Sequence, residues 1–137
     1  MAQLIKAQVT FIMPKGDDRD GDTDIQIIVR KSNGNVIAQD FNVAPDQRFA
    51  DPGTYGPFNI AVVDANASHA DFQAGSSQLI IHPRGHDRWI TDVVITLQWN
   101  DGSGLTCQSH TLIVDQDVNS ATWPNSQTSL LTKSKRL

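Results

Sequence analysis

The strictest constraint in this chain is a period of two. Trp89, Thr91, Val93, Ile95, Leu97 and Trp99 occupy every second position of one run. Successive side chains of a strand point to opposite faces, so these six share one face of a sheet. The same alternation opens the chain, where Ile5, Ala7, Val9, Phe11 and Met13 are separated by Lys6, Gln8 and Thr10. It returns at Ile25, Ile27 and Val29, set between Asp24, Gln26 and Arg30. Ser32-Asn33-Gly34-Asn35 follows, and its Asn-Gly suits a tight hairpin turn with positive φ angles. Further strands are predicted over residues 36–43, 57–63, 77–82 and 105–114, the last with a bulge near His110. No amphipathic helix is expected. Seven or eight short strands with turns between them predict an all-β fold, an antiparallel β-sandwich, with a closed barrel as the alternative. Residues 1–115 form the sandwich in this reading, and 116–137 a polar C-terminal tail.

A chain of 137 residues can bury a core without disulfide staples, and Cys107, the single cysteine, has no internal partner. Cys107 falls within a strand and reads as a small core residue rather than a nucleophile. The formal net charge of −4 makes nucleic acid an unexpected partner. No apolar run reaches the length of a membrane-spanning helix, and residues 1–10 lack the apolar centre of a secretory leader. Asn66-Ala67-Ser68 fits a glycosylation sequon, a pattern common by chance.

Between the first two strands the chain reads Lys-Gly-Asp-Asp-Arg-Asp-Gly-Asp-Thr-Asp. Asp17, Asp18, Asp20, Asp22 and Asp24 face only Lys15 and Arg19 as local counter-charges. Such crowding is destabilising unless water or a cation offsets it. Hard carboxylate oxygens on a loop anchored at both ends are what Ca²⁺ takes, and this many charged ligands suit it better than Mg²⁺. The alternating carboxylates are not an EF-hand: Gly21 is the fourth residue from Asp18 instead of the sixth, and Val29 stands where the bidentate glutamate belongs. If each strand crosses the sandwich once, this loop shares one end with residues 44–56, 83–88 and the start of the tail. Those segments carry Asp46, Asp51, Asp87, Asp115 and Asp117.

An acidic loop after the first strand, with further aspartates at the same rim, resembles calcium-binding C2 domains and the related PLAT-type sandwiches. The resemblance covers roughly residues 3–115 and rests on architecture and the Asp17–Asp24 run. It implies that Asp18, Asp20, Asp22 and Asp24 supply one ligand loop, Asp87 a second, and that bound Ca²⁺ meets anionic phospholipid. C2 domains usually pair aspartates in the second loop, and only Asp87 stands in this turn.

Other chemistry is thinly represented. His82, His86 and Asp87 do not make a zinc site, because Pro83 and Gly85 turn the chain and no cysteine assists. No Gly-x-Ser-x-Gly elbow, phosphate loop or dinucleotide fingerprint occurs. A non-enzymatic Ca²⁺ module engaging a membrane or protein partner is therefore expected. A Ca²⁺-dependent glycan binder and an assembly subunit with Ca²⁺-stiffened loops compete with it. In the tail, Trp123, Leu130 and Leu131 are expected to dock on the sandwich or on another copy. Lys133, Lys135 and Arg136 then face an acidic surface, which makes self-association through the tail a further expectation.

Overall fold

The computed structural model describes residues 2–13, 24–43, 53–82, 88–115, 117–126 and 128–132. These form an all-β antiparallel fold. Its strands are β1 (Leu4–Met13), β2 (Asp24–Arg30), β3 (Val36–Asp40), β4 (Gly53–Val62), β5 (Ser76–His82), β6 (Arg88–Trp99), β7 (Ser103–Gln108), β8 (Leu112–Asp115), β9 (Ser120–Pro124) and β10 (Thr128–Thr132). They join in one sheet of order β10-β7-β6-β1-β4-β3-β2-β5-β9, with β8 also paired to β6. The sheet curls into a sandwich-like half-barrel. The corner is β4, which pairs with β1 over most of its length and with β3 through Ala61 and Val62 alone. Among the described residues no helix is long and apolar enough to cross a membrane.

The period of two becomes the core. Trp89, Thr91, Val93, Ile95, Leu97 and Trp99 are all buried from one face of β6. Ile25, Ile27 and Val29 of β2 and Leu79 and Ile81 of β5 are buried in the same cluster. The Phe11 ring lies 5.2 Å from that of Trp89 and 6.2 Å from that of Phe58. Removing each such side chain from water contributes about 1.5–3 kcal/mol before the entropy of ordering it.

Strict alternation fails where the pairing slips. Ile5, expected in the core, is 61% exposed. β1 advances two residues, Leu4 to Lys6, while β6 steps back one, from Trp99 to Gln98. Ile5 is thus the extra residue of a bulge, and Leu4 takes the inward position. A second bulge lies where it is expected. From Thr91↔Leu112 to Val94↔Gln108 the chain advances three residues on β6 and four on its neighbour. The extra residue falls around His110, so β7 and β8 are one bulged strand along β6. In β4, expected to begin at Pro57, pairing starts earlier, at Met13↔Gly53. Gly56 makes that possible: its φ is +117° and a Cβ there would meet the Val9 carbonyl oxygen at 2.9 Å.

Two elements lie outside the sequence expectation. A short helix, α1 (His69–Gln73), opens with a capping box in which Ser68 Oγ accepts from the Asp71 amide and the Asp71 carboxylate accepts from the Ser68 amide. One turn and a half is too short to display a helical period, and only Phe72 of it is buried. The polar segment after Asp115 contributes two strands. β9 pairs with β5, and there Trp123 is 2% exposed. Asn125 is fully buried, its backbone N–H donating to the Gly75 carbonyl and its side-chain Oδ1 accepting from Ser77 Oγ at 2.6 Å. β10 then crosses to the other margin and pairs with β7.

Three substitutions test this packing through the urea midpoint. Gly75→Ala should destabilise the fold by ~1–3 kcal/mol or more, as overpacking does, because its Cβ would lie 1.8 Å from the Arg30 carbonyl oxygen. Trp123→Ala should cost ~3–5 kcal/mol. Ile5→Ala should stay within about 0.5 kcal/mol of wild type, as exposed substitutions do, whereas a core Ile5 would cost ~2–5 kcal/mol.

Candidate functional site

The strand ends define a rim. Met13 pairs with Gly53, Asp24 with His82, Ile12 with Asp92, and Arg88 with Asp115. The connections 14–23, 83–87 and 116–119 each leave one half of the sheet and enter the other at this end. The strand ends thus carry the one-crossing geometry through all three connections. Of the expected ligands, Asp24 alone is described: it opens β2 half-buried, beside buried Ile25. Asp17, Asp18, Asp20, Asp22 and Asp87 lie outside the described residues, as do Asp46 and Asp51. Among the described residues no group of three His, Cys, Asp or Glu side chains comes together to hold a metal ion.

The described aspartates show a different use of the same side chain. Asp40 Oδ1 accepts from the Asn42 amide, Asp64 Oδ1 from Asn66 and Asp101 Oδ1 from Ser103, each at about 3 Å. Asp115 Oδ1 accepts from both Asp117 (2.8 Å) and Val118 (2.7 Å). Each carboxylate stands in for a backbone carbonyl and pins the turn that follows it. Asp115 is thereby committed to turning β8 into β9, where the Asp115 amide also donates to the Val118 carbonyl. Asp64 additionally pairs with Lys31 at 2.5 Å. That hydrogen bond lowers the Asp64 carboxyl and raises the Lys31 ammonium from their ordinary ranges. Both groups are open to solvent, so the pair contributes little to stability.

At the opposite end the fold assembles a polar cluster from segments 34 residues apart. Ser103 Oγ donates to Asp101 Oδ1 at 2.5 Å. Its single hydrogen being so used, the 2.9 Å contact with His69 requires Nε2–H to donate to Ser103 Oγ. The His69 ring stands edge-on to Trp99 at 4.4 Å between centroids, and the Trp99 indole donates to the Ala67 carbonyl. The Ser103 hydroxyl and amide hold the Asp101 carboxyl below its ordinary range. Clefts of about 470 and 330 Å³ open on either side of this wall. The order is the reverse of a hydrolase triad, in which the serine hydroxyl donates to histidine and histidine to the carboxylate. The three groups lock the β6–β7 turn to the start of α1. Sequence reading passed over His69 and Asp101; the marks available were the Ser68-x-x-Asp71 cap and the Asn100-Asp101-Gly102 turn, and neither reports their proximity.

Cys107 is buried, which pushes its thiol upward despite an opposing interaction with the Trp123 indole. Its sulfhydryl donates to the Pro124 carbonyl at 3.7 Å. It is a packing group here, far from the reactive thiolate form.

Compared with protein-family models, with curated proteins and with solved structures, the chain matches none.

The Asp101 cluster has a defined pH signature. A carboxyl held low in the folded state stabilises it above the ordinary aspartate range, and that contribution is lost as pH falls through the folded value. Asp101→Asn should therefore lower the urea midpoint at neutral pH. The gap to wild type should close as the pH falls below about 3.9.

Proposed function

We propose that this chain is a non-enzymatic Ca²⁺-binding β-sandwich module, laid out like C2 and PLAT-type domains, that engages an anionic membrane surface or a protein partner through its acidic end. The observation that carries this reading is a surplus of carboxylates in one inter-sheet connection. Elsewhere in the described chain aspartates serve turns singly, as at Asp40, Asp64, Asp101 and Asp115. The connection between β1 and β2 holds Asp17, Asp18, Asp20 and Asp22 within ten residues and runs into Asp24. One carboxylate suffices to pin a turn, so the remainder ask for another use. Ca²⁺ accepts about six to eight oxygens in a flexible shell. Asp17, Asp18, Asp20, Asp22 and Asp24 would hold it, with Asp87 reaching in from the next connection at the same rim. The ion would relieve their repulsion and leave coordination positions for oxygens of an anionic headgroup or an acidic protein surface.

Calcium should raise the melting temperature of the whole chain, and Mg²⁺ only weakly. At 100 times its dissociation constant a ligand that binds the folded state alone adds ~2.7 kcal/mol. Asp20→Asn and Asp22→Asn should keep the fold and weaken Ca²⁺ binding in calorimetry. An unchanged melting temperature between millimolar Ca²⁺ and chelator sinks the metal site. Sedimentation with phosphatidylserine vesicles, with and without Ca²⁺, then tests the partner. Ca²⁺-dependent retention on a glycan array without vesicle binding would move the reading to a carbohydrate module.

A further inference from the structure

The bulge in β1 turns Ile5 out to solvent. Bulges re-aim side chains, and this one sets an isoleucine at the lip of the cleft of about 470 Å³ beside Trp99. The cleft has a local cause. Gln98 of β6 stands opposite Gly104 of β7, which has no side chain to fill the space beside it. The wall is held from behind, where Trp99 donates to the Ala67 carbonyl and Ser103 is locked between His69 and Asp101. Asn100 ties the end of β6 to the start of the chain, its Oδ1 accepting from the Gln3 backbone N–H at 2.9 Å. That bond fixes the orientation of the carboxamide and leaves Nδ2 to donate. Gln98 is exposed, and its carboxamide has no hydrogen-bond partner among the described residues.

We infer that this cleft binds an uncharged oligosaccharide, and does so without calcium. The ligand class follows by elimination. None of the described residues lining the cleft is ionisable, in a chain that is 19% charged. An ionic ligand would shed its hydration there with no counter-charge to receive it. A purely apolar ligand would cover the Gln98 and Asn100 carboxamides and leave them unpaired. Sugar hydroxyls both donate and accept, as the Gln98 carboxamide does, and the C–H face of a sugar ring packs on an aliphatic side chain such as Ile5. An extended peptide is also neutral and polar, but its commonest route onto a sheet is to add a strand at a free edge. β1, β6 and β7 each have a neighbour on both sides. A second cleft, of about 330 Å³, opens across Ile5 and is lined by Lys6 and Asn59 among others. Ile5 is thus a saddle between two clefts, which a chain of several sugars spans and a single sugar does not. Leu4 pairs with Trp99 at this end and Met13 with Gly53 at the other. The cleft therefore lies away from the acidic rim, and neither site depends on the other.

An array of neutral and acidic oligosaccharides, probed with the labelled whole chain in chelator, tests this. Neutral oligosaccharides should be retained, and added Ca²⁺ should not change the retention. Titrating the isotope-labelled chain with a retained oligosaccharide should shift the side-chain amide signals of Gln98 and Asn100. Gln98→Ala and Ile5→Ala should each weaken that binding about tenfold, the loss of one good contact, while the urea midpoint stays near wild type. Retention of no neutral oligosaccharide, or of acidic ones alone, overturns the inference. Retention that requires Ca²⁺ overturns it too, and moves sugar binding to the acidic rim. Capture on a parallel peptide array, with shifts at Gln98 and Asn100 and no neutral sugar bound, makes the cleft a peptide site instead. Affinity unchanged in both variants also refutes the site. Should the variants disturb folding, the wild-type signals decide: shifts confined to residues outside the cleft refute it.

Discussion

Everything in this structure depends on hiding one face of a long sheet without a second layer. The strands offer a single strongly apolar face, and α1, at five residues, cannot cover it. The sheet therefore has to supply its own cover, by bending at β4 until β6 and β1 look across at β2 and β5. Once two halves face each other, each crossing between them falls at one end or the other. The rim collects the connections that follow β1, β5 and β8. The far end is closed by α1 and the β6–β7 turn, through Ala67, His69, Trp99 and Ser103. The chemistry of each end follows from which loops the curl delivers there.

Among the described residues aspartate pins turns, and the run from Asp17 to Asp24 differs from that use in density. A lone aspartate ahead of a turn accepts the amide two residues on and needs no ion to be stable. Asp115 does this at the rim itself, through Oδ1. The run from Asp17 to Asp24 places five carboxylates in eight residues, and like charges so crowded along a chain repel unless something offsets them. That surplus, rather than the presence of acid at a rim, is the reason to look for a cation. A Ser–His–Asp cluster at the far end is a comparable warning: proximity alone suggests catalysis, while the direction of its hydrogen bonds describes a structural lock.

Closure of the sheet also sets where it is vulnerable. The link between β9 and β10 carries the chain from one margin to the other within residues 125–127. Buried Asn125 anchors that link to Gly75 and Ser77. The C-terminal segment is thus part of the structural frame, although its composition alone describes a polar tail. Among its described side chains Trp123 is the large buried one, and it covers Cys107 from the β5 side.

How much of this was legible in advance can be traced residue by residue. Alternation determined the all-β class, the inward face of β6, the Asn33-Gly34 hairpin and the bulge near His110, because side-chain period and turn chemistry are local properties. The acidic character of the first inter-sheet loop is equally a matter of sequence. Ile5 was misplaced because a bulge is a relation between two strands, and β6 is about 90 residues away along the chain. α1 was missed because one cap and a single buried phenylalanine make no period. The tail's composition predicts docking through Trp123 but not strands, because a strand paired with its neighbours needs little apolar content of its own. The meeting of His69 with Ser103 and the commitment of Asp115 to a turn likewise required three dimensions. Sequence by itself determined which surfaces must leave water. Only the tertiary structure decided which strand covers which, since that choice rests on pairings between residues whose separation along the chain carries no local signal.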